Sequence, residues 1–395
     1  MDKISNAKKV LACLFIVVMA VFSIRSNAWA GLEKMAAYIA QDVETGTITM
    51  SGIESEYVST LLEKQSFINL NGSMAKALNM QGYYSDMGMY ITDDNYIVSA
   101  SAITSTDYEY EQMVSLKAYL DSIGVNLLYV NAPTKYVDDS LFSTQFGINT
   151  YSNRNADLFL QRISDAGIAN IDLRDNLAED GLKVEEQFFR TDHHWTPECG
   201  LWATQIIAEG LNEYCGYNID TSIYDRSNYT FTKYENCWLG EQGRKIAATY
   251  VGLDDYTCVM PNFETDYSFK SKNGLVAGTF DNFIDNNVYN LENDVYTNPS
   301  WHYSYERYNC INNSVDYGKV FLLGDSYANV TQPFLSLGVS EIDSLILRSY
   351  DDSFSLRTYI QNGGYDTVII CYAQFMIGAH DNPSSANYRM FTFDK

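Results

Sequence analysis

Val320-Phe321-Leu322-Leu323-Gly324-Asp325-Ser326-Tyr327 is the stretch on which the fold turns. A short apolar run reads as a strand buried on both faces, and Gly-Asp-Ser-Tyr ends it in a turn that carries a serine. Downstream, Asn329 to Leu337 reads as a helix and Leu345-Ile346-Leu347 as a strand. A helix from Phe354 to Gln361 stops at Gly363-Gly364, and Thr367-Val368-Ile369-Ile370-Cys371 is the most apolar strand of the chain. Upstream the same rhythm recurs. Asp107 opens a helix with Met113, Leu116, Leu120 and Ile123 on one face, and Gly124 ends it. Leu127 to Val130 is a buried strand. Ala156, Phe159, Leu160 and Ile163 mark a second helical face, and Ile171-Asp172-Leu173 is a short strand. Alternation of this kind builds an α/β fold, a parallel central sheet with helices on its faces.

Around this core the pattern is less regular. Two short helices are expected near Leu32–Gln41 and Glu54–Lys64. Met89 to Thr92 and Tyr96 to Val98 flank Asp93-Asp94-Asn95 as a hairpin. Thr196 is a suitable N-cap with Pro197 at the first helical position, for a helix running to about Tyr214. Residues 216–300, rich in Tyr, Asn, Asp and Gly, break the rhythm and read as a long irregular insertion or subdomain.

The composition is that of a folded chain, with 46% hydrophobic and 19% charged residues in 395. Its formal net charge of −24 repels phosphate backbones, which excludes nucleic acid as a partner and favours a neutral one. The 32 tyrosines suit sugar rings, although for any single one of them core packing is the better account. At the N-terminus, Lys3, Lys8 and Lys9 precede an apolar run from Val10 to Ile24, and Ala28-Trp29-Ala30 has the small-x-small pattern of a cleavage site. Residues 1–30 therefore read as a signal peptide or an uncleaved signal anchor, and the remainder as lying outside the cytoplasm, secreted or anchored. Cys13 lies in that segment. The other six, at 199, 215, 237, 258, 310 and 371, permit one or two disulfides of undetermined connectivity, and Cys371 reads as a buried thiol.

Two strings carry chemistry. Ser326 lies just past the carboxyl end of a central strand, where open α/β sheets collect reactive groups. Thr191-Asp192-His193-His194-Trp195-Thr196 supplies an acid and imidazoles. Asp192 and His194, two apart, share a side of an extended segment. Asp192 can grip one ring nitrogen of His194 while the other faces Ser326, the arrangement that makes a serine hydroxyl nucleophilic. His193 is expected to point the opposite way in a structural role, and Trp195 to pack or to serve as a sugar platform. Adjacent histidines diverge in regular structure, and no HxxxH or carboxylate cluster accompanies them, so no metal is expected.

The two strings, with Ala132-Pro133-Thr134-Lys135 after a strand and Trp238-Leu239-Gly240-Glu241-Gln242-Gly243-Arg244, resemble the DHHW family, which is related to alginate O-acetyltransferase-like proteins. The resemblance covers about residues 85–378. It implies an SGNH-hydrolase-like three-layer fold and, position by position, Ser326 as nucleophile, His194 as base and Asp192 as its orienter. Such domains use a Gly and an Asn in the oxyanion hole. The Gly has no counterpart here, and Gln374, after the last strand, is the nearest candidate for the Asn. Lys135, Arg348, Trp195 and Tyr327 are candidates for lining the substrate site. The resemblance implies O-acetylation of a secreted or cell-surface polysaccharide through an acyl-enzyme, with no cofactor beyond an acetyl donor and a membrane-bound acyl-transfer protein as partner. An esterase with the same triad and a non-catalytic polysaccharide-binding scaffold are the alternatives.

Overall fold

The computed structural model describes residues 26–45, 50–80, 88–283, 309–381 and 387–393, except positions 63, 137 and 352, together with residues 13, 16, 17, 20, 21, 23, 24 and 385. The lysines of the expected leader and part of its apolar run lie outside the described residues, as do residues 284–300 of the expected insertion. The chain divides into two compact units, residues 1–79 with 245–250 and residues 80–244 with 251–395. The first unit is helical, with helices Ala28–Thr45, Met50–Ser59 and Lys64–Ala77. The Ala28-Trp29-Ala30 triplet opens the first of these, and the indole of Trp29 donates to Glu33 one turn on. Among the described residues, no helix is long and apolar enough to cross a membrane.

Among the described residues, the second unit is built on twelve strands: β1 (Met89–Ile91), β2 (Ile97–Ser99), β3 (Asn126–Ala132), β4 (Ala169–Asp172), β5 (Tyr229–Trp238), β6 (Asp254–Pro261), β7 (Tyr267–Ser271), β8 (Gly274–Gly278), β9 (Cys310–Asn312), β10 (Lys319–Gly324), β11 (Glu341–Leu345) and β12 (Thr367–Ala373). Eight of them form the central sheet in the order β4-β3-β12-β10-β11-β9-β7-β8. The first five run parallel. The last three extend the sheet in antiparallel fashion. β1 with β2 is the expected hairpin, and β5 with β6 is a separate antiparallel pair.

Burial explains the apolar runs. Every residue of β12 is buried, because helices cover both faces of a parallel sheet. Alternate side chains feed two cores. Val320, Leu322, Ile369 and Cys371 join one with helices Pro197–Cys215 and Ala328–Leu335. Phe321, Leu323, Val368 and Ile370 join the other with helices Asp107–Ser122, Ser152–Asp165 and Leu356–Gly363. The result is a three-layer α/β fold. Each fully buried branched side chain is worth about 1.5–3 kcal/mol over its exposed form. Thr196 caps helix Pro197–Cys215 as expected, accepting from the Cys199 N–H, and Gly216 ends it in the left-handed region at φ 75°.

Two expectations need correction. The strand read at Leu345–Leu347 is β11, which ends where that reading began. Asp343 breaks its apolar pattern, yet Asp343 is buried and accepts from the Tyr365 hydroxyl at 2.7 Å and the Lys270 ammonium at 3.0 Å. The permitted disulfides are not formed: all seven cysteines are free, five of them buried. Burial pushes the Cys371 thiol well above its ordinary range, as expected of an inert core thiol.

Candidate active site

β10 delivers its serine to the carboxyl edge of the sheet, flanked by β11 on one side and β12 on the other. Gly324 is required at the bend: a Cβ there would stand 2.2 Å from the Ala328 Cβ. Asp325 is fully buried and braces the turn, accepting from the Tyr327 N–H and the Ala373 N–H, both at 2.8 Å. Burial raises its pKa, against the pull of those two N–H groups. Among the described residues, the Ser326 N–H has no hydrogen-bond partner. It is therefore free to donate to an oxyanion formed at Ser326.

The acid and base come from an irregular loop. Phe188 and Trp195 pair as an antiparallel bridge, and residues 191–194 form consecutive bends between them. Distant residues fix the loop. Thr191 donates its N–H and its hydroxyl to Asp254 Oδ2, at 2.8 and 2.6 Å. Gly240 N–H donates to Thr191 Oγ1 at 2.8 Å, and Gly243 N–H to the Thr191 carbonyl at 2.8 Å. Glu241 N–H donates to Asp192 Oδ2 at 2.8 Å. A Cβ on Gly240 would lie 2.3 Å from the Asp192 Cβ, so only glycine lets the backbone come this close.

The resulting chain of contacts is short. Ser326 Oγ lies 2.6 Å from His194 Nε2, and His194 Nδ1 lies 2.6 Å from Asp192 Oδ1, which also accepts from the His194 N–H at 3.1 Å. All three side chains are buried. For the Asp192 carboxyl, burial pushes upward, but His194, His193 and the Glu241 N–H together outweigh it and hold it well below the usual carboxylate range. Asp192 is thus ionised at neutral pH and stabilises an imidazolium beside it. The site opens into a cavity of about 540 Å³ lined by Ser326, His194, His193, Lys135, Tyr136, Glu241, Gln242, Tyr327, Arg348, Phe375 and Asn387, among others.

The remaining candidates fall into different places. Lys135 lines the cavity but is buried and committed: its ammonium donates to the carbonyls of Ile97 at 2.7 Å and Arg190 at 3.0 Å and to Gln242 Oε1 at 3.3 Å. Burial lowers its pKa to about 7. Arg348 lines the cavity and donates to Asn387 Oδ1 at 2.6 Å. Tyr327 touches the cavity, yet its ring is buried 5.3 Å from the His194 ring and its hydroxyl donates to the His193 carbonyl. Trp195 is fully buried and donates its indole N–H to the Tyr327 carbonyl at 3.2 Å, so it locks the loop from beneath and does not reach the cavity. Gln374 does not fit the oxyanion role. Its amide N–H groups go to Ser152 Oγ at 2.7 Å and Asn153 Oδ1 at 2.9 Å, and it is absent from the cavity wall. His193 does not point away. Its ring packs against that of His194, with centroids 3.8 Å apart and planes tilted by 34°, and it lines the cavity. The bends at 191–194 remove the strand alternation on which the opposite expectation rested. Ligand atoms of Asp192, His193 and His194 lie within 4.8 Å of one another. However, both Asp192 oxygens and both His194 nitrogens already make the bonds just described.

Residues 89–229 match the family model of the SGNH hydrolase-like domain of the acetyltransferase AlgX. The fold is SGNH-hydrolase-like. The matched stretch carries Asp192 and His194 and ends ahead of Ser326. The chain is similar to the structure of Bacillus cereus PatB1 with a sulfonyl adduct, with TM-score 0.59 and 20% identity over 78% of this chain and 97% of that one. It is also similar to a DHHW family protein from Eubacterium siraeum, with TM-score 0.55 and 16% identity over 78% of this chain and 95% of that one. No curated protein matches the chain in sequence.

Proposed function

We propose that the protein is an extracytoplasmic serine-dependent O-acetyltransferase acting on a secreted or cell-surface polysaccharide. The observation that carries the reading is the unbroken Ser326–His194–Asp192 relay, with contacts of 2.6 and 2.6 Å, opening into a cavity. His194 takes the Ser326 hydroxyl proton as Oγ attacks the acetyl carbonyl of a donor ester. The tetrahedral oxyanion receives the Ser326 N–H, the donor's alcohol leaves with the proton from His194, and acetyl-Ser326 remains. A sugar hydroxyl then loses its proton to His194 and attacks the acyl group, which restores the serine. No group beyond the acetyl donor is needed for these steps. The match of residues 89–229 to an acetyltransferase domain supports transfer over simple hydrolysis. A membrane-bound acyl-transfer protein is the proposed source of acetyl groups, and the basic–apolar N-terminal segment supports placement outside the cytoplasm. Incubation with 4-nitrophenyl acetate and a neutral oligosaccharide tests the reading. Mass spectrometry should find acetyl on Ser326 and then on the sugar. Release of free acetate alone makes the protein an esterase, and neither product removes the enzymatic reading.

A further inference from the structure

His193 lines the cavity without taking part in the relay, and its placement is specific. Its ring centroid lies 3.8 Å from that of His194, with the planes 34° apart. Its carbonyl is pinned by the Tyr327 hydroxyl, and Phe375 meets its ring edge-on at 5.9 Å. Its Nδ1 is 3.5 Å from Asp192 Oδ1, against 2.6 Å for His194, so the carboxylate holds the second histidine and not the first. We propose that His193 is a positioning residue for His194, its closely packed ring keeping the base in line with Ser326 and stabilising the imidazolium that forms there.

The charged and titratable groups that face His193 are His194, Asp192, Glu241 and Lys135, with the buried Tyr327 ring 6.3 Å away. Burial first, and then the like charge of His194, bring its pKa down to about 4, so the ring is neutral at working pH. A neutral aromatic ring attracts a cation held against its face, and more so where water is excluded. In acylation the Ser326 proton passes to His194 Nε2 and leaves with the donor's alcohol, while His193 neither gains nor loses one. The positive charge therefore appears transiently against the His193 ring.

Two apolar replacements of similar bulk separate the ring face from mere filling: His193→Phe keeps an aromatic face and His193→Leu does not. The kinetic half of the test rests on the proposed Ser326 chemistry. Hydrolysis of 4-nitrophenyl acetate should keep kcat within about threefold of the parent in His193→Phe and fall about tenfold in His193→Leu, at unchanged KM. The second half needs no turnover. A fluorophosphonate should label Ser326 of the full chain about tenfold more slowly in His193→Leu than in His193→Phe, the same factor. Identical labelling rates in the two variants, or equal losses of kcat, overturn the proposal. A parent that transfers no acetyl while the two labelling rates still separate overturns the acetyltransferase reading and leaves the positioning role standing.

Discussion

The nucleophile turn and the acid–base loop meet at 2.6 Å but are held there by different means. Ser326 is placed by regular structure: a buried parallel strand ends, a glycine lets the turn close on the following helix, and Asp325 ties the turn to β12. Asp192 and His194 sit in a run of consecutive bends, and their shape comes from Gly240, Glu241 and Asp254, far along the chain. A nucleophile placed by topology tolerates change in its surroundings. A base placed by tertiary clamps is only as good as the clamps.

The largest effects break the relay on either side of that contrast. Ser326→Ala should lower acetyl-ester turnover by about 10⁴-fold or more with unchanged thermal unfolding, since the turn is held by Gly324 and Asp325. Asp192→Asn should cost about 10⁴-fold in kcat by releasing the tautomer and aim of His194, again with the fold intact. Steady-state kinetics beside a melting curve checks both.

The clamps come next. Asp254→Asn weakens the acceptor for the Thr191 N–H, the Thr191 hydroxyl and Arg190, all through one buried carboxylate. It should lower unfolding stability by about 3 kcal/mol in urea denaturation and lower kcat as well. Gly240→Ala forces a methyl group against Asp192 and should cost about 1–3 kcal/mol of strain. Its loss of kcat should exceed that of Gly324→Ala if the loop is the softer partner, and equal losses would erase the contrast.

The last effect is on stability alone and is read through pH. The folded pKa of Lys135, near 7, is below the ordinary 10.5 because burial disfavours the ammonium. Between those values the unfolded chain holds a proton that the folded chain lacks, so folded stability falls as pH drops from about 10.5 to about 7 and is flat below. Lys135→Met lacks this dependence. Its stability relative to the parent should therefore rise as pH drops through that window, which denaturant titrations at pH 6, 8 and 10 would show.

What the sequence made legible follows the same division. β3, β10 and β12 announce themselves as apolar runs, and the Thr196-Pro197 pair marks a helix start. Ser326, His194 and Asp192 could be named because their residue types and local spacing carry the chemistry. Residues that act through distant contacts left no local mark. Asp254 contacts a threonine 63 positions away. The outward placement expected of His193 fails because alternation holds only in a strand, and the segment bends. Gln374 has a suitable place after β12 but spends its amide on Ser152 and Asn153, which only the folded chain reveals. The Trp238–Arg244 motif was visible, whereas its task of gripping Thr191 and Asp192 was not.

The proposed chemistry requires that Ser326 be activated by His194. Treating the folded protein with a fluorophosphonate and mapping the modified peptide reads this directly. The expected result is a single adduct on Ser326 that disappears when His194 is replaced by alanine. A well-folded parent that leaves Ser326 unmodified, or an adduct that forms as fast without His194, would contradict it.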